Sequence, residues 1–171
     1  MGSFGRAGAG MNQPTGILID TNVWLDAYIH TREGHPLARE LLRYASENGI
    51  QLWYAMNSIR DVFYLTASSF KRDLRQQGIA VGEAEAAAAA QLGWSCINHM
   101  AKIACAVGSD LSDVWLATKL RSIHSDFEDN LVLSAATRAN ASCMISNDRQ
   151  LLQHATVAAL TPADWLALQK A

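Results

Sequence analysis

Cysteine is scarce in this 171-residue chain, and the three that occur, Cys96, Cys105 and Cys143, form no CxxC pair. An odd count without paired spacing argues against a disulfide framework or a cysteine-based zinc site. Buried free thiols in a reducing compartment are the expectation, which places the protein in the cytoplasm. Long apolar runs are missing too. The unbroken hydrophobic stretches fall well short of the ~20 residues a membrane span needs, and no basic start leads into an apolar segment of signal-peptide type. Nor is there a surplus of positive charge: 14 Lys and Arg stand against 16 Asp and Glu, a net charge of −2. A protein that grips nucleic acid by overall charge is strongly basic, so any such role here must rest on a local site. The five histidines, His30, His35, His99, His124 and His154, form no HExxH-type pair and are expected at the surface or at helix ends.

What remains is an ordinary globular composition, 50% hydrophobic and 18% charged, with a mean hydropathy of +0.01. That excludes a disordered or collagen-like chain. One domain is expected at this length, burying roughly two thirds of the unfolded surface. Residues 1–15 look like a flexible, Gly-rich tail or tag remnant, with Met11 as a plausible native start, and 16–171 like a single domain with a helical insertion at about 71–108.

Along that domain, Gly16-Ile17-Leu18-Ile19-Asp20 is an apolar run ending in an acid and predicts a buried strand. Thr21 and Asn22 lead into a short apolar helix to Ile29. His35-Pro36 opens a second helix with Leu37, Ala38, Leu41, Leu42 and Ala45 at helical spacing, stopped by Asn48-Gly49. Ile50 to Tyr54 is a second strand. Ser58 is the expected cap of a helix carrying Ile59, Val62, Phe63 and Leu65. Lys71 to Gly78 is polar and basic. From Gly82 an alanine-rich helix is expected toward Val107, either packed against a helix or subunit or merely a good surface helix. Ser109–Arg121 is another helix with room for a short strand before it. Asp126 caps a helix to about Ala139, Cys143–Ile145 is a strand, and Thr161-Pro162 opens the last helix. Trp24 and Trp115 are expected in the core rather than as base-stacking platforms. Apolar strands separated by helices imply an α/β fold, a parallel sheet covered on both faces.

Two acids, Asp20 and Asp148, follow strands, and two more, Asp61 and Asp129, lie three residues after the expected caps Ser58 and Asp126. In an open parallel sheet the site lies beyond the carboxyl ends of the strands. Each acid taken singly also fits helix capping or the helix dipole; together they point to one crevice. Carboxylates crowded within a few ångströms repel unless a cation neutralises them. A hard divalent ion such as Mg²⁺ or Mn²⁺ takes oxygen ligands and can activate water against a phosphodiester.

The stretches ILIDTNVWLDAYI (17–29), NSIRDVFYL (57–65), DFEDNLVLSAATRANASCMISND (126–148) and LTPADWL (160–166) resemble, in order, those of the PIN-domain nucleases, and the DFED opening resembles a bacterial subgroup. Many PIN proteins are toxins of toxin–antitoxin pairs, the VapC type. The resemblance implies a three-layer α/β/α sandwich with a central, mainly parallel sheet, and Mg²⁺- or Mn²⁺-dependent cleavage of RNA. It maps the family's acids onto Asp20, Asp61, Asp129 and Asp148, with Thr21, Asn22, Asp126 and Ser146 in supporting places. Asp61 stands where Glu is frequent, one methylene shorter, and Asp126 and Glu128 add negative charge. The implied mechanism has Asp20 and Asp129 holding the main ion, Asp61 and Asp148 completing its shell, and water attacking phosphorus to leave a 5′-phosphate and a 3′-hydroxyl. Arg60, Lys71, Arg72 and Arg75 are candidates to guide RNA, a solvated charged face being the competing reading for the last three. A small antitoxin partner and a homodimer through the 82–107 helix are further implications. The alternative reading is a catalytically idle PIN-like interaction module. P-loop and DxD phosphatase signatures are absent.

Overall fold

The computed structural model describes residues 16–171; the tail expected over 1–15 lies outside the described residues. The elements run β1 (Ile17–Ile19), α1 (Thr21–Tyr28), α2 (His35–Glu47), β2 (Leu52–Ala55), α3 (Ser58–Gln76), α4 (Glu83–Ile103), β3 (Cys105–Val107), α5 (Leu111–Leu120), α6 (Phe127–Arg138), β4 (Cys143–Ile145), α7 (Arg149–His154), β5 (Ala159–Leu160) and α8 (Pro162–Gln169). The sheet has the order β3-β2-β1-β4-β5, every neighbour parallel. The expected three-layer α/β/α sandwich is therefore observed.

Strand alternation sorts the core into two layers. Ile17, Ile19, Leu52, Tyr54, Cys143 and Ile145 face one side and pack with α1, α2, α4 and α8. Leu18, Ala55 and Met144 face the other and pack with α6 and Leu151 of α7. β1 is buried on both faces, so its residues are apolar without alternation, as parallel strands are. Among the described residues, no helix is long and apolar enough to cross a membrane.

Several boundaries differ from expectation. The second strand begins at Leu52, because Gly49 turns the chain at φ +63 and the Ile50 amide bonds back to the Ala45 carbonyl at 2.9 Å. The basic stretch after Lys71 continues α3 to Gln76, and Gly78 at φ +78 ends it. The region expected as an insertion thus comprises the end of α3, then α4, then β3. α4 stops at Ile103, since Ala104 is extended and delivers the chain into β3. Its buried seam is Ala89, Gly93, Cys96 and Met100, at helical spacing. Gly93 permits close approach to α3: a Cβ there would stand 3.0 Å from the Phe63 carbonyl oxygen. Ala86 to Ala88 are exposed. Trp24 is fully buried as expected, whereas Trp115 is 62% exposed, with Lys119 over its ring. Cys96 and Cys143 are buried, but Cys105 on the edge strand is exposed.

Candidate active site

β1 and β4 are adjacent and end together. The Asp20 amide continues their ladder, donating to the Ile145 carbonyl at 3.0 Å. Asp20 is the N-cap of α1: its Oδ1 accepts from the Thr21 amide at 2.6 Å, and its Oδ2 accepts from the Ser146 hydroxyl at 2.7 Å. Ser146 in turn accepts from the Asp148 amide at 2.9 Å and from Asn22 Nδ2 at 3.3 Å. Asp148 caps α7 through Oδ1, which takes the Gln150 and Leu151 amides at 2.7 and 3.0 Å. One serine therefore ties the two strand-end acids together.

The helix-borne acids arrive by other means. Ser58, expected to cap α3, is instead its first residue and buried, and its hydroxyl pairs with that of Thr21 at 2.7 Å. That bond pins the start of α3 beside the start of α1 and brings Asp61 toward Asp20. Asp126 caps α6 as expected, its Oδ1 accepting from the Glu128 and Asp129 amides at 2.8 and 3.2 Å. Asp129 sits in that first turn. Asp20, Asp61, Asp129 and Asp148 line one cleft with Glu128, Thr21 and Asn22. Ser146, which is buried, and Asp126, which is exposed, do not line it. Arg60 stands at the rim, donating to Asp61 at 3.3 Å and to Glu128 at 3.4 Å. Lys71 and Arg75 do not line the acid cleft, and Arg72 lines an adjoining one.

One site residue escaped the sequence reading. His124, expected at the surface, is buried, and its Nε2 lies 2.7 Å from Asp129 Oδ2. A carboxylate oxygen only accepts, so this nitrogen carries the proton. The ring stacks on His154 with centroids 5.9 Å apart, and the His124 carbonyl accepts from Asn130 Nδ2 at 2.9 Å. Its only sequence signal is its place five residues before an acid, in a loop without periodicity.

Electrostatics reflect this crowding. Burial, opposed by the Ser146 hydrogen bond and reinforced by Asp129 and Asp148, pushes the Asp20 carboxyl up to about 6. Asp129 is also raised, mainly by burial, with the His124 bond opposing and Asp126 and Asp148 adding to it. Five carboxylates around one cleft form an all-oxygen donor set, which suits a hard divalent cation and would be relieved by one. As they stand, no three His, Cys, Asp or Glu side chains among the described residues converge tightly enough to hold an ion.

A family profile described as the PIN domain matches residues 16–150. The chain belongs to the PIN-domain family. Among solved structures, VapBC2 from Rickettsia felis, bound to a DNA fragment from its promoter, superposes with a TM-score of 0.59 at 12% identity, over 85% of this chain and 98% of that one. FitAcB from Neisseria gonorrhoeae gives 0.58 at 14% identity, over 86% and 98%. VapC20 from Mycobacterium tuberculosis, a toxin that cleaves the sarcin-ricin loop, gives 0.55 at 15% identity, over 81% and 94%. At these identities the likeness is one of fold. No curated protein matches the chain at a significant level.

Proposed function

We propose that this PIN domain is a divalent-metal-dependent endoribonuclease that hydrolyses phosphodiester bonds of single-stranded or structured RNA, and that it is the toxin of a toxin–antitoxin pair. The observation carrying this reading is the acid set Asp20, Asp61, Asp129 and Asp148 lining one cleft at the strand ends. Asp20 and Asp129 would hold the ion, and Asp61 and Asp148 would complete its shell or hold its waters. A bound Mg²⁺ or Mn²⁺ would lower the pKa of a water and offset charge on a phosphoryl oxygen. Ser146 aims Asp20 and, against the larger effect of burial, favours its ionised form by donating to its Oδ2. Thr21 and Asn22 are engaged with Ser58 and Ser146, so they support the site by fixing its walls. Arg60 is placed to exchange its weak, exposed acid contacts for a substrate phosphate. The products are a 5′-phosphate and a 3′-hydroxyl. An antitoxin partner is supported by the named neighbours, VapBC2 and FitAcB, and a homodimer in the cytoplasm belongs to the same proposal.

The test is cleavage of RNA in Mg²⁺ or Mn²⁺ and in excess chelator, beside Asp20→Asn and Asp129→Asn, with folding checked by thermal melts. Metal-dependent cleavage lost in both folded variants is the expected result. Absence of cleavage together with absence of a metal-induced melting shift would replace the nuclease by an idle interaction module.

A further inference from the structure

The acid cleft has a neighbour along α3. A second cleft of about 250 Å³ is lined by Leu25, Ile29, Arg32, Leu65, Ser69 and Arg72. It shares Leu25 and Leu65 with the acid cleft. Helix geometry explains the adjacency: Asp61, Leu65, Ser69 and Arg72 recur at helical spacing on one stripe of α3. At 1.5 Å per residue, Asp61 and Arg72 lie about 16 Å apart along the helix.

The two arginines are held differently. Arg32 Nε bonds Asp26, a buried carboxylate whose other oxygen accepts from Asn147 Nδ2 at 2.6 Å. Asn147 precedes Asp148, so the carboxylate that orients Arg32 also steadies the loop of a cleft acid. The terminal nitrogens of Arg32 make no hydrogen bond among the described residues. Arg72 donates to Ser69 Oγ at 3.1 Å and stands 3.9 Å from Asp73.

A polyanionic strand entering a cleft lined by five carboxylates needs compensating charge nearby, and these arginines line the space next door. We propose that the Arg32–Arg72 cleft binds a backbone phosphate of the same strand whose scissile phosphodiester lies at the acids. Arg forks suit phosphate geometry, and Leu25, Ile29 and Leu65 give the adjoining ribose or base an apolar wall. The site rests on the nuclease reading and adds to it a second contact that gives the bound strand a direction.

Fluorescence anisotropy with an RNA dinucleotide and a dodecamer, in excess chelator over a salt series, tests it. A dodecamer spans both clefts; a dinucleotide cannot. The dodecamer is expected to bind more tightly. Arg72→Ala weakens it about fivefold or more at low salt and lowers its log–log salt slope by about 0.7. Arg72→Lys recovers part of the loss. Arg32→Gln, checked by melting because it removes the cationic partner of the buried Asp26, acts in the same direction. Arg43→Ala, on α2 and paired with Glu47, leaves binding unchanged. An Arg72→Ala protein that binds the dodecamer with wild-type affinity and slope overturns the cleft. So does a wild type that fails to bind the dodecamer, since this contact needs no ion. Cleavage in Mn²⁺, measured alongside, shows whether the nuclease reading falls with it.

Discussion

The acids at the strand ends and those on the helices reach the same cleft under different constraints. Asp20 is 4% exposed, and it and Asp148 share Ser146 while each also accepts backbone amides. Asp61 and Asp129 have side chains 24% and 25% exposed. Each has a single side-chain partner, an exposed arginine for Asp61 and a buried histidine for Asp129. Sheet ends thus provide a fixed floor, where backbone geometry sets the carboxylates. Helix starts provide arms, each held by a single side-chain contact. The cleft is acidic throughout, and no three ligating side chains among the described residues converge in it.

The largest consequence of that division lies in pH-dependent stability. The Asp20 carboxyl is pushed from 3.8 to about 6 by burial. Between those values the folded protein binds a proton that the unfolded chain does not. Stability therefore falls as pH rises through that window and levels off above it, by up to about 3 kcal/mol from this group. Asp129, also raised, slopes the same way. Asp110, held down to about 2 by Ser112, slopes oppositely, and only below the ordinary aspartate range. Urea unfolding in chelator across that window is expected to show the fall in the wild type and a much flatter profile in Asp20→Asn. The slope is the readout, because Asn at 20 keeps one acceptor oxygen where Asp20 accepts from both the Thr21 amide and the Ser146 hydroxyl, so it loses one of those bonds and shifts stability at every pH. A slope unchanged by the substitution would mean that Asp20 is solvated, and the contrast between floor and arms would collapse.

The next effect separates the arms from each other. His124→Phe keeps a ring against His154 but removes the donor to Asp129. Removing a hydrogen bond behind a metal ligand typically costs 10–100-fold in affinity or activity. The Mn²⁺ concentration for half-maximal cleavage is expected to rise by about that factor, and the metal-induced melting shift to shrink. Wild-type values for both would show that Asp129 needs no support from behind.

Sequence made the floor legible and the supports obscure. GILID and CMISND are apolar runs ending in acids, so β1, β4, Asp20 and Asp148 follow from hydrophobic burial and strand length alone. Asp126 and Thr161 were recognisable as caps because capping uses local chemistry. β3 was harder, being three residues placed directly after a long helix with only Ala104 between them. Ser58 looked like a cap because its local setting fits one; its actual partner, Thr21, is 37 positions away. His124 and the Asp26–Asn147 bond are likewise long-range or loop contacts that leave no periodic trace. Trp115 was expected inside for its size, but it sits on the solvent face of α5, where its ring is covered by Lys119.

The smallest predicted effect concerns Asp61. Its place in the first turn of α3 is favourable for negative charge, and its one side-chain contact, Arg60 Nε at 3.3 Å, is an exposed pair worth little. Asp61→Glu lengthens the arm by one methylene without displacing a buried group. Folding stability is expected to stay within about 0.5 kcal/mol of the wild type. The Mn²⁺ requirement for cleavage should fall by less than about tenfold as the longer carboxylate reaches further into the cleft. Metal titration of the two proteins at one pH measures this directly. If Asp61→Glu instead abolishes cleavage as fully as Asp20→Asn does, the helix arm is set as rigidly as the strand floor, and a shorter side chain at this position is a requirement of the site rather than a slack one.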